Sequence, residues 1–442
     1  MIPTDWKEAN IAPIFKKGSK NDPSNYRPVS LTCVCSKLME HVIVHHLMAH
    51  LEKYRILAPA QHGFRAKHSC VTQLISTIDR ILNYHDANTQ VDAIILDFSK
   101  AFDVVSHRKL LSKLDHYGIR GDIHRWIGSF LHNRNQRVVV NGKASNRALV
   151  ESGVPQGTCL GPVLFLCYIN DITQNISSHL RLFADDALLF RPIKSEADHH
   201  ALDADLQTLS NWAKSWSMKF NAKKCHSMTF SRKPTPSSHF YTLSGEVLSQ
   251  VLSSPYLGVT ISNDLNFNTH IAKTTSKASR TLGFLTRTLR ACPPRLRELA
   301  YFSMCRSTLE YAAVVWDPKP NSQAANSLER IQRRAARFVK GDFRRRSSVT
   351  NILQKLEWEP LNTRRQNQRL VTLHQTISDK IATDVTIKHG RRGRLLGLRC
   401  STDKYKNSFL PRTISDFNSL NQQSREAETT EAFKASLPKG CY

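Results

Sequence analysis

A chain of 442 residues with 63 Lys and Arg against 36 Asp and Glu carries a formal net charge of +27. Its length predicts two or three structural units, and 40% hydrophobic residues supply enough apolar material for real cores, which excludes wholesale disorder. No apolar run approaches the roughly 18 residues of a membrane span, Met1 to Asn10 lacks a signal peptide's apolar segment, and the ten Cys form no CxxC pair, so the expectation is an intracellular protein with reduced thiols and no membrane partner.

The opening, Ile11 to Asn25, reads as a short strand running into a basic loop with Lys16, Lys17 and Lys20. Ser36 to Tyr54 has helical period, with Leu38, Val42, Leu47 and Leu51 on one side. Val91 to Leu96 is apolar and β-branched and reads as a buried strand ending at Asp97. Arg137 to Asn141 is a second strand leading into an Asn141-Gly142 turn. Leu180 to Phe190 has two apolar arms around Asp185-Asp186, the shape of a hairpin. Leu202, Leu206, Leu209, Trp212 and Trp216 mark an amphipathic helix. Strands interleaved with helices predict an α+β domain. Pro234 to Ser238 is the first candidate boundary, and beyond it the pattern is mainly helical. There Leu328, Ile331, Ala335 and Phe338 form an apolar face among Arg330, Arg333, Arg334, Arg337 and Lys340, and Arg344 to Arg346 extend the basic run.

The charge is uneven, with a net +10 over residues 1–240 and +17 over residues 241–442. Positive charge at this density favours a polyanionic partner, because each neutralised phosphate releases counterions. Against this background the acidic residues set in apolar surroundings need an explanation. An Asp-Asp pair commonly marks an exposed turn, but Phe183, Leu188, Leu189 and Phe190 would hold Asp185 and Asp186 against a core. Two carboxylates about 4 Å apart repel by roughly 4 kcal/mol at an effective dielectric near 20. A divalent cation turns that repulsion into attraction, and Asp97 is a third carboxylate in similar surroundings. Such a set suits hard Mg²⁺ completed by substrate phosphates, and two-metal phosphoryl or nucleotidyl transfer on nucleic acid. On this ground alone a polymerase and a nuclease both remain open.

Five ordered motifs carry a family resemblance: Tyr26-Arg27-Pro28-Val29-Ser30-Leu31, Gln61-His62-Gly63-Phe64-Arg65, Leu96 to Asp103 followed by His107, Gly153 to Thr158, and Phe183-Ala184-Asp185-Asp186. In these the sequence resembles the reverse transcriptase of non-LTR retrotransposons of the jockey-like kind. Ala184 before the Asp pair fits that branch better than the retroviral enzymes, which usually carry Tyr at the start of that motif. The resemblance implies a right-hand polymerase, with fingers and palm over 1–235, a thumb-like helical region over 236–345 and a basic C-terminal region over 346–442. It implies Asp97, Asp185 and Asp186 as metal-binding catalytic carboxylates, with the Phe98 carbonyl assisting one ion. Phe102 would be the aromatic gate that leaves no room for a 2′-hydroxyl, and Arg65 would grip the triphosphate. Gln156 and Gly157 would lie against the templating base pair, where Gly lets the backbone approach closely. Lys224 would protonate the leaving pyrophosphate, with Lys223 competing for the role. Tyr256-Leu257-Gly258 would position the primer end, and Asp103 would serve as a structural hydrogen-bonding group rather than a metal ligand.

The resemblance continues more weakly through Leu309-Glu310-Tyr311, Val315-Trp316, Ile331 to Ala335 and Phe417-Asn418. There is no CCHC zinc knuckle and no sign of an RNase H carboxylate cluster. Relatives encode an endonuclease and more of the fingers upstream, so the expectation is a truncated copy whose endonuclease is supplied in trans. The cofactor implied is Mg²⁺, with Mn²⁺ as a substitute, and the partners are an RNA template, a DNA primer or target and dNTPs. An active polymerase and a catalytically inactive nucleic-acid-binding remnant are the two functional readings, and nucleus and cytoplasm both remain open as compartments.

Overall fold

The protein is known from a computed structural model, which describes residues 2–344 and 346–438; Met1, Arg345 and the last four residues lie outside it. Its strands begin with β1 (Glu8–Phe15), β2 (Tyr26–Leu31), β3 (Gln90–Leu96), β4 (Arg134–Val140), β5 (Lys143–Ala144), β6 (Ala148–Val150), β7 (His179–Phe183), β8 (Asp186–Ile193) and β9 (His226–Phe230). The principal helices of the first half are α1 (Val34–Lys53), α2 (Cys70–Asp86), α3 (His107–His116), α4 (Gly121–Leu131), α5 (Leu160–Ile169) and α6 (Glu196–Ser215).

Two sheets divide the work. In the palm sheet the order is a short strand Ser249–Gln250, then β9, β3, β8 and β7, which leaves β3 and β8 in the interior. Side chains alternate across it, as strand geometry requires. Val91, Ala93, Leu188 and Phe190 enter the core built with α2 and the C-terminal helices, while Ile94, Leu96, Ala187 and Leu189 enter the core built with α3, α5 and α6. Burial on both faces is why β3 reads as a continuous apolar run. The fingers sheet runs β2, β1, β4 and β5, with β6 pairing to β4, and the β1–β4 pair is parallel.

Several sequence expectations shift in register or face. The helix expected over 36–54 spans Val34–Lys53, but its buried face is Ser36, Glu40, Ile43, Leu47 and Leu51, whereas Leu38 and Val42 are 64% and 54% exposed. Helical period alone does not say which face of a helix meets the core. Helix α2, which carries no motif of its own, begins with a reciprocal cap. The Ser69 side chain accepts from the Thr72 N–H at 3.2 Å, and the Ser69 N–H donates to the Thr72 hydroxyl at 2.9 Å.

Packing also groups the chain differently from divisions at 235 and 345. Past the Pro/Ser stretch, the Ser237 N–H donates to Gln90 at 2.9 Å and the Tyr241 hydroxyl to buried Asp92 at 2.7 Å, while Leu243 and Leu248 join the α6 core. Residues 237–248 therefore pack with the first half of the chain, while Tyr256, Leu257, Val259 and Ile261 enter the core shared with the C-terminal helices. The helical region proper begins at Asn268–Thr288 and includes a π-helical turn, Tyr301–Arg306. Its core runs without a break into that of the C-terminal region: Trp358 stacks on Tyr301 at 4.8 Å, and Leu361, Leu373, Phe409 and Phe433 share one cluster with Leu282 and Trp316.

The joint between these parts is ionic. Buried Asp317 accepts from Arg365 Nε at 2.6 Å and Arg369 Nε at 3.0 Å, and Arg412 approaches it at 3.3 Å. The Arg365 and Arg369 side chains are 1% and 2% exposed. Removing the shared carboxylate leaves buried guanidinium groups without their counter-charge, which costs about 3–5 kcal/mol in comparable buried pairs. Asp317→Ala is therefore expected to lower the unfolding free energy by about 3 kcal/mol or more, read as a shift in the urea midpoint at unchanged slope.

Candidate active site

Strand pairing brings the three aspartates together. Leu96 at the end of β3 lies opposite Ala187 on β8, so Asp97 comes directly after β3 beside the start of β8, where Asp186 sits. Phe183 pairs with Asp186 across the hairpin, which leaves Ala184 and Asp185 as its two turn residues. Ala184 has a φ of +54°, a left-handed conformation that costs an L-residue roughly 1–2 kcal/mol.

Gln61 holds that turn. Its Oε1 accepts from the Ala184 N–H at 2.9 Å and from the Gly63 N–H at 2.7 Å, and it is 2% exposed. Gly63 is required by closeness rather than by its own dihedral angles, since a Cβ there would stand 2.5 Å from the Ala184 nitrogen. The Gln-His-Gly motif thus acts as a buried brace for the Asp pair, a role the sequence pattern does not reveal.

On the other side of Asp97 the chain continues as a partial strand. Phe98 bridges to Phe220 and stacks on its ring at 4.4 Å, and the Asn221 N–H donates to the Asp97 carbonyl at 2.8 Å. This pairing carries the next turn under the site, where Lys224 Nζ donates to Asp97 Oδ2 at 3.1 Å. Lys224, rather than Lys223, is the lysine ion-paired to Asp97.

Burial and mutual repulsion shape the charges. Desolvation, then Asp185, then Asp97 push the Asp186 carboxyl up to about 6. Asp185 is raised as well, mainly by burial and also by Asp97. The charges of Arg27 and Lys16 oppose the rise at Asp185, and Arg27 opposes it at Asp186. Both cations come from the fingers hairpin, Arg27 on β2 and Lys16 just after β1. Arg65 is placed elsewhere, which corrects the role expected for it. Its guanidinium forms a bidentate pair with Glu52, 3.0 Å at both Nε and NH2, and donates to the Ala58 and Gln61 carbonyls at 3.1 and 3.3 Å. With its donors engaged, the cations acting on the carboxylates are Arg27, Lys16 and the Lys224 paired to Asp97.

The Gly153–Thr158 loop closes the cleft. The Gly153 and Val154 N–H groups donate to the Val105 and Phe102 carbonyls at 2.8 Å each. Gly153 has φ +89°, and a Cβ there would stand 2.7 Å from the Asp103 carbonyl oxygen, so only glycine fits. Gly157, at φ +98°, lies against Ser30, whose N–H donates to the Gln156 carbonyl at 2.7 Å. The Gln156 side chain donates to Asp103 at 3.0 Å, and the Phe102 ring stacks on Phe165 at 4.3 Å. Buried Glu40 supports this loop by accepting from the Cys159 and Leu160 N–H groups at 2.8 and 3.1 Å. Nothing in the sequence distinguishes Glu40 from any other helical glutamate.

Tyr256, Leu257 and Gly258 form the turn of a separate hairpin, Ser253–Tyr256 with Val259–Ser262. Leu257 and Gly258 have φ of +45° and +81°, the signs a tight hairpin turn demands. The Tyr311 hydroxyl donates to the Leu257 carbonyl at 2.9 Å, and Tyr256 is buried beside Gln73.

Among the described residues no group of three His, Cys, Asp or Glu side chains is placed to hold a metal ion by itself. The donor set nevertheless fits an open site: clustered hard oxygens that repel one another, in a cleft where substrate oxygens would complete a Mg²⁺ shell.

The sequence profile of the family described as "Reverse transcriptase (RNA-dependent DNA polymerase)" matches residues 14–261, more than half of the chain. The chain belongs to the reverse transcriptase family. Within it the chain sits with the jockey-like non-LTR retrotransposon members. It is 31% identical over 363 residues to a probable RNA-directed DNA polymerase from transposon BS of Drosophila melanogaster, covering 76% of this chain and 39% of the relative. It is 30% identical over 280 residues to the RNA-directed DNA polymerase from mobile element jockey of the same organism, covering 61% of this chain and 30% of the relative. The chain thus spans well under half the length of these relatives. Among solved structures, apo telomerase from Candida tropicalis is similar at 12% identity and a TM-score of 0.46, covering 85% of this chain and 62% of that one. Family membership gives the chain a right-hand polymerase fold, and the family depends in general on divalent metal.

The geometry of the site sets two testable outcomes. In metal-free buffer at neutral pH, Asp186→Asn is expected to raise the melting temperature by relieving repulsion. The gain should vanish as pH falls below about 6, where the wild-type carboxyl protonates and relieves the same repulsion itself. Calorimetry of both proteins across that range checks it. Gln61→Leu strands two buried N–H groups at about 1–3 kcal/mol each. It is expected to reduce nucleotide incorporation about tenfold or more while primer–template affinity stays level, which single-turnover extension beside a binding titration separates.

Proposed function

We propose that the chain is an RNA-directed DNA polymerase that adds dNTPs to a primer 3′-hydroxyl on an RNA template. The observation that carries this reading is the coupled cluster of Asp97, Asp185 and Asp186 at adjacent strand ends, facing Arg27 and Lys16, in a chain of this family. The primer oxygen attacks the α-phosphate, the bond to the bridging oxygen breaks, and pyrophosphate leaves. Bound divalent ions, Mg²⁺ with Mn²⁺ as a substitute, supply charge neutralisation and an activated primer oxygen at Asp97, Asp185 and Asp186.

The chain's own residues do the remainder. Arg27 and Lys16 attract the triphosphate to the cleft, the part expected from sequence of Arg65. Phe102, braced by Phe165, bars a 2′-hydroxyl, and the Gln156-Gly157 backbone lies under the templating pair. Phe98 contributes its carbonyl beside Asp97, and Lys224 delivers a proton to the leaving pyrophosphate. Tyr256, Leu257 and Gly258 seat the primer end. The remainder of a longer element, including an endonuclease, would act in trans or from sequence beyond this chain.

Primer extension on poly-rA/oligo-dT with Mg²⁺ and then Mn²⁺ tests the proposal. Incorporation by the wild type, lost in Asp185→Ala with RNA binding retained, is the expected result, because phosphate contacts come from Lys and Arg elsewhere. A folded wild type that binds RNA yet incorporates nothing would favour the inactive remnant.

A further inference from the structure

Behind the hairpin that carries the Asp pair lies a cavity of about 620 Å³ that the polymerase reading does not use. It is walled by the C-terminal end of α1, the segment directly after it, α2, the outer strand β7 and an extended strap at 382–384. Arg181 on β7 is roughly 13 Å along the strand from Asp185, at about 3.3 Å per residue. The cavity is therefore separate from the cleft yet joined to it by one rigid element.

Its lining is strongly cationic. Arg55, Arg65, Arg80 and Arg181 face it against only two carboxylates, Glu52 and Asp384. Glu52 is taken by Arg65, and Asp384 is shared between Arg80 at 3.2 Å and Arg181. Arg55 has no ion pair among the described residues, so the lining holds a formal +2. The buried Arg181 Nε and Thr383 Oγ1, which belong to residues that line the cavity, have no hydrogen-bond partner among the described residues. Arg181 is 8% exposed, so its free donor is not satisfied by bulk water.

Three histidines register the same excess. Burial first, and then neighbouring positive charge, hold His62 down to about 3 and His179 down to about 4, and burial likewise lowers His68. His62 and His179 are neutral at physiological pH and add no further charge to the lining.

We propose that this cavity is a second phosphate-binding site, taking the phosphate groups of a nucleotide or of a nucleic-acid strand outside the polymerase cleft. Its volume suits a nucleotide-sized group, the guanidinium groups suit phosphate oxygens, and an anion would balance the excess charge of the lining.

The test is a double variant of the full chain, Arg55→Gln with Arg80→Gln. Neither residue touches the Asp cleft, and Arg181 keeps its hold on Asp384. Binding of a short oligouridylate RNA and of uridine monophosphate is measured with chelator present, which suppresses metal-dependent binding at the carboxylates. If the site takes a strand, RNA binding weakens about tenfold at low salt and the slope of log K against log salt falls by about 1–2. If it takes a free nucleotide, the monophosphate affinity falls instead. Wild-type values in both titrations overturn the proposal. Thermal unfolding monitors the fold, and Arg55→Gln alone, which removes an exposed and unpaired side chain, repeats the measurement should the double variant prove unstable.

Discussion

Mutual repulsion among Asp97, Asp185 and Asp186 is the constraint around which the first half of the chain is arranged. Burial first, and then the neighbouring carboxylates, push the Asp186 carboxyl up to about 6, and a hairpin free to relax would splay to relieve the repulsion. It does not relax because β3 and β8 are interior strands with apolar side chains locked on both faces. The turn itself is pinned by a buried amide: Gln61 commits its acceptor to the Ala184 and Gly63 N–H groups. Fixed donors and acceptors of this kind keep a charged site assembled before its counter-ions arrive, the condition for preorganised electrostatic catalysis.

The same logic explains which motifs are close to one another. Gly153 and Gly157 matter because the loop they flank presses on the Asp103 carbonyl and on Ser30, where a Cβ would stand 2.7 and 2.9 Å from the nearest oxygen. Ser30 belongs to β2, the strand that also carries Arg27, so the Gly153–Thr158 loop and this cation near the aspartates are mechanically one unit. Glu40 anchors that unit from α1 through the first amides of α5. Distances in the cleft are thus set by backbone contacts between three motifs that are far apart in the chain.

Legibility in the sequence depends on how each signal arises. β3, the β7–β8 hairpin and the amphipathic face of α6 are readable because burial on a strand or helix writes a local period into the chain. The three aspartates stand out because charge in apolar surroundings is conspicuous. Arg65 is misjudged from its motif because a motif gives a residue's identity but not the direction of its side chain, and Glu52, at the end of the preceding helix, captures it. Glu40 and the Gln61 brace are silent, since their function lies in non-local hydrogen bonds that leave no pattern. The Pro/Ser stretch suggests a boundary, yet Ser237 and Tyr241 tie the residues after it to Gln90 and Asp92. A turn-rich segment marks a change of direction, not a change of core.

Net charge behaves in the same way: its sign is legible, its deployment is not. Many of the arginines that make up the +27 are internal fasteners, such as Arg365 and Arg369 on Asp317, or Arg337, which donates to the Asp342, Arg344 and Ser347 carbonyls. Electrostatic attraction for a polyanion then depends on the cations left without acceptors, which are far fewer than composition suggests. Arg330, Arg333 and Lys340 on the solvent face of the helix Gln323–Lys340 are of this kind, and so is Arg55 at the mouth of the cavity behind β7. Sorting ion-paired from unpaired cations, rather than counting charge, is what locates the surfaces able to hold a phosphate.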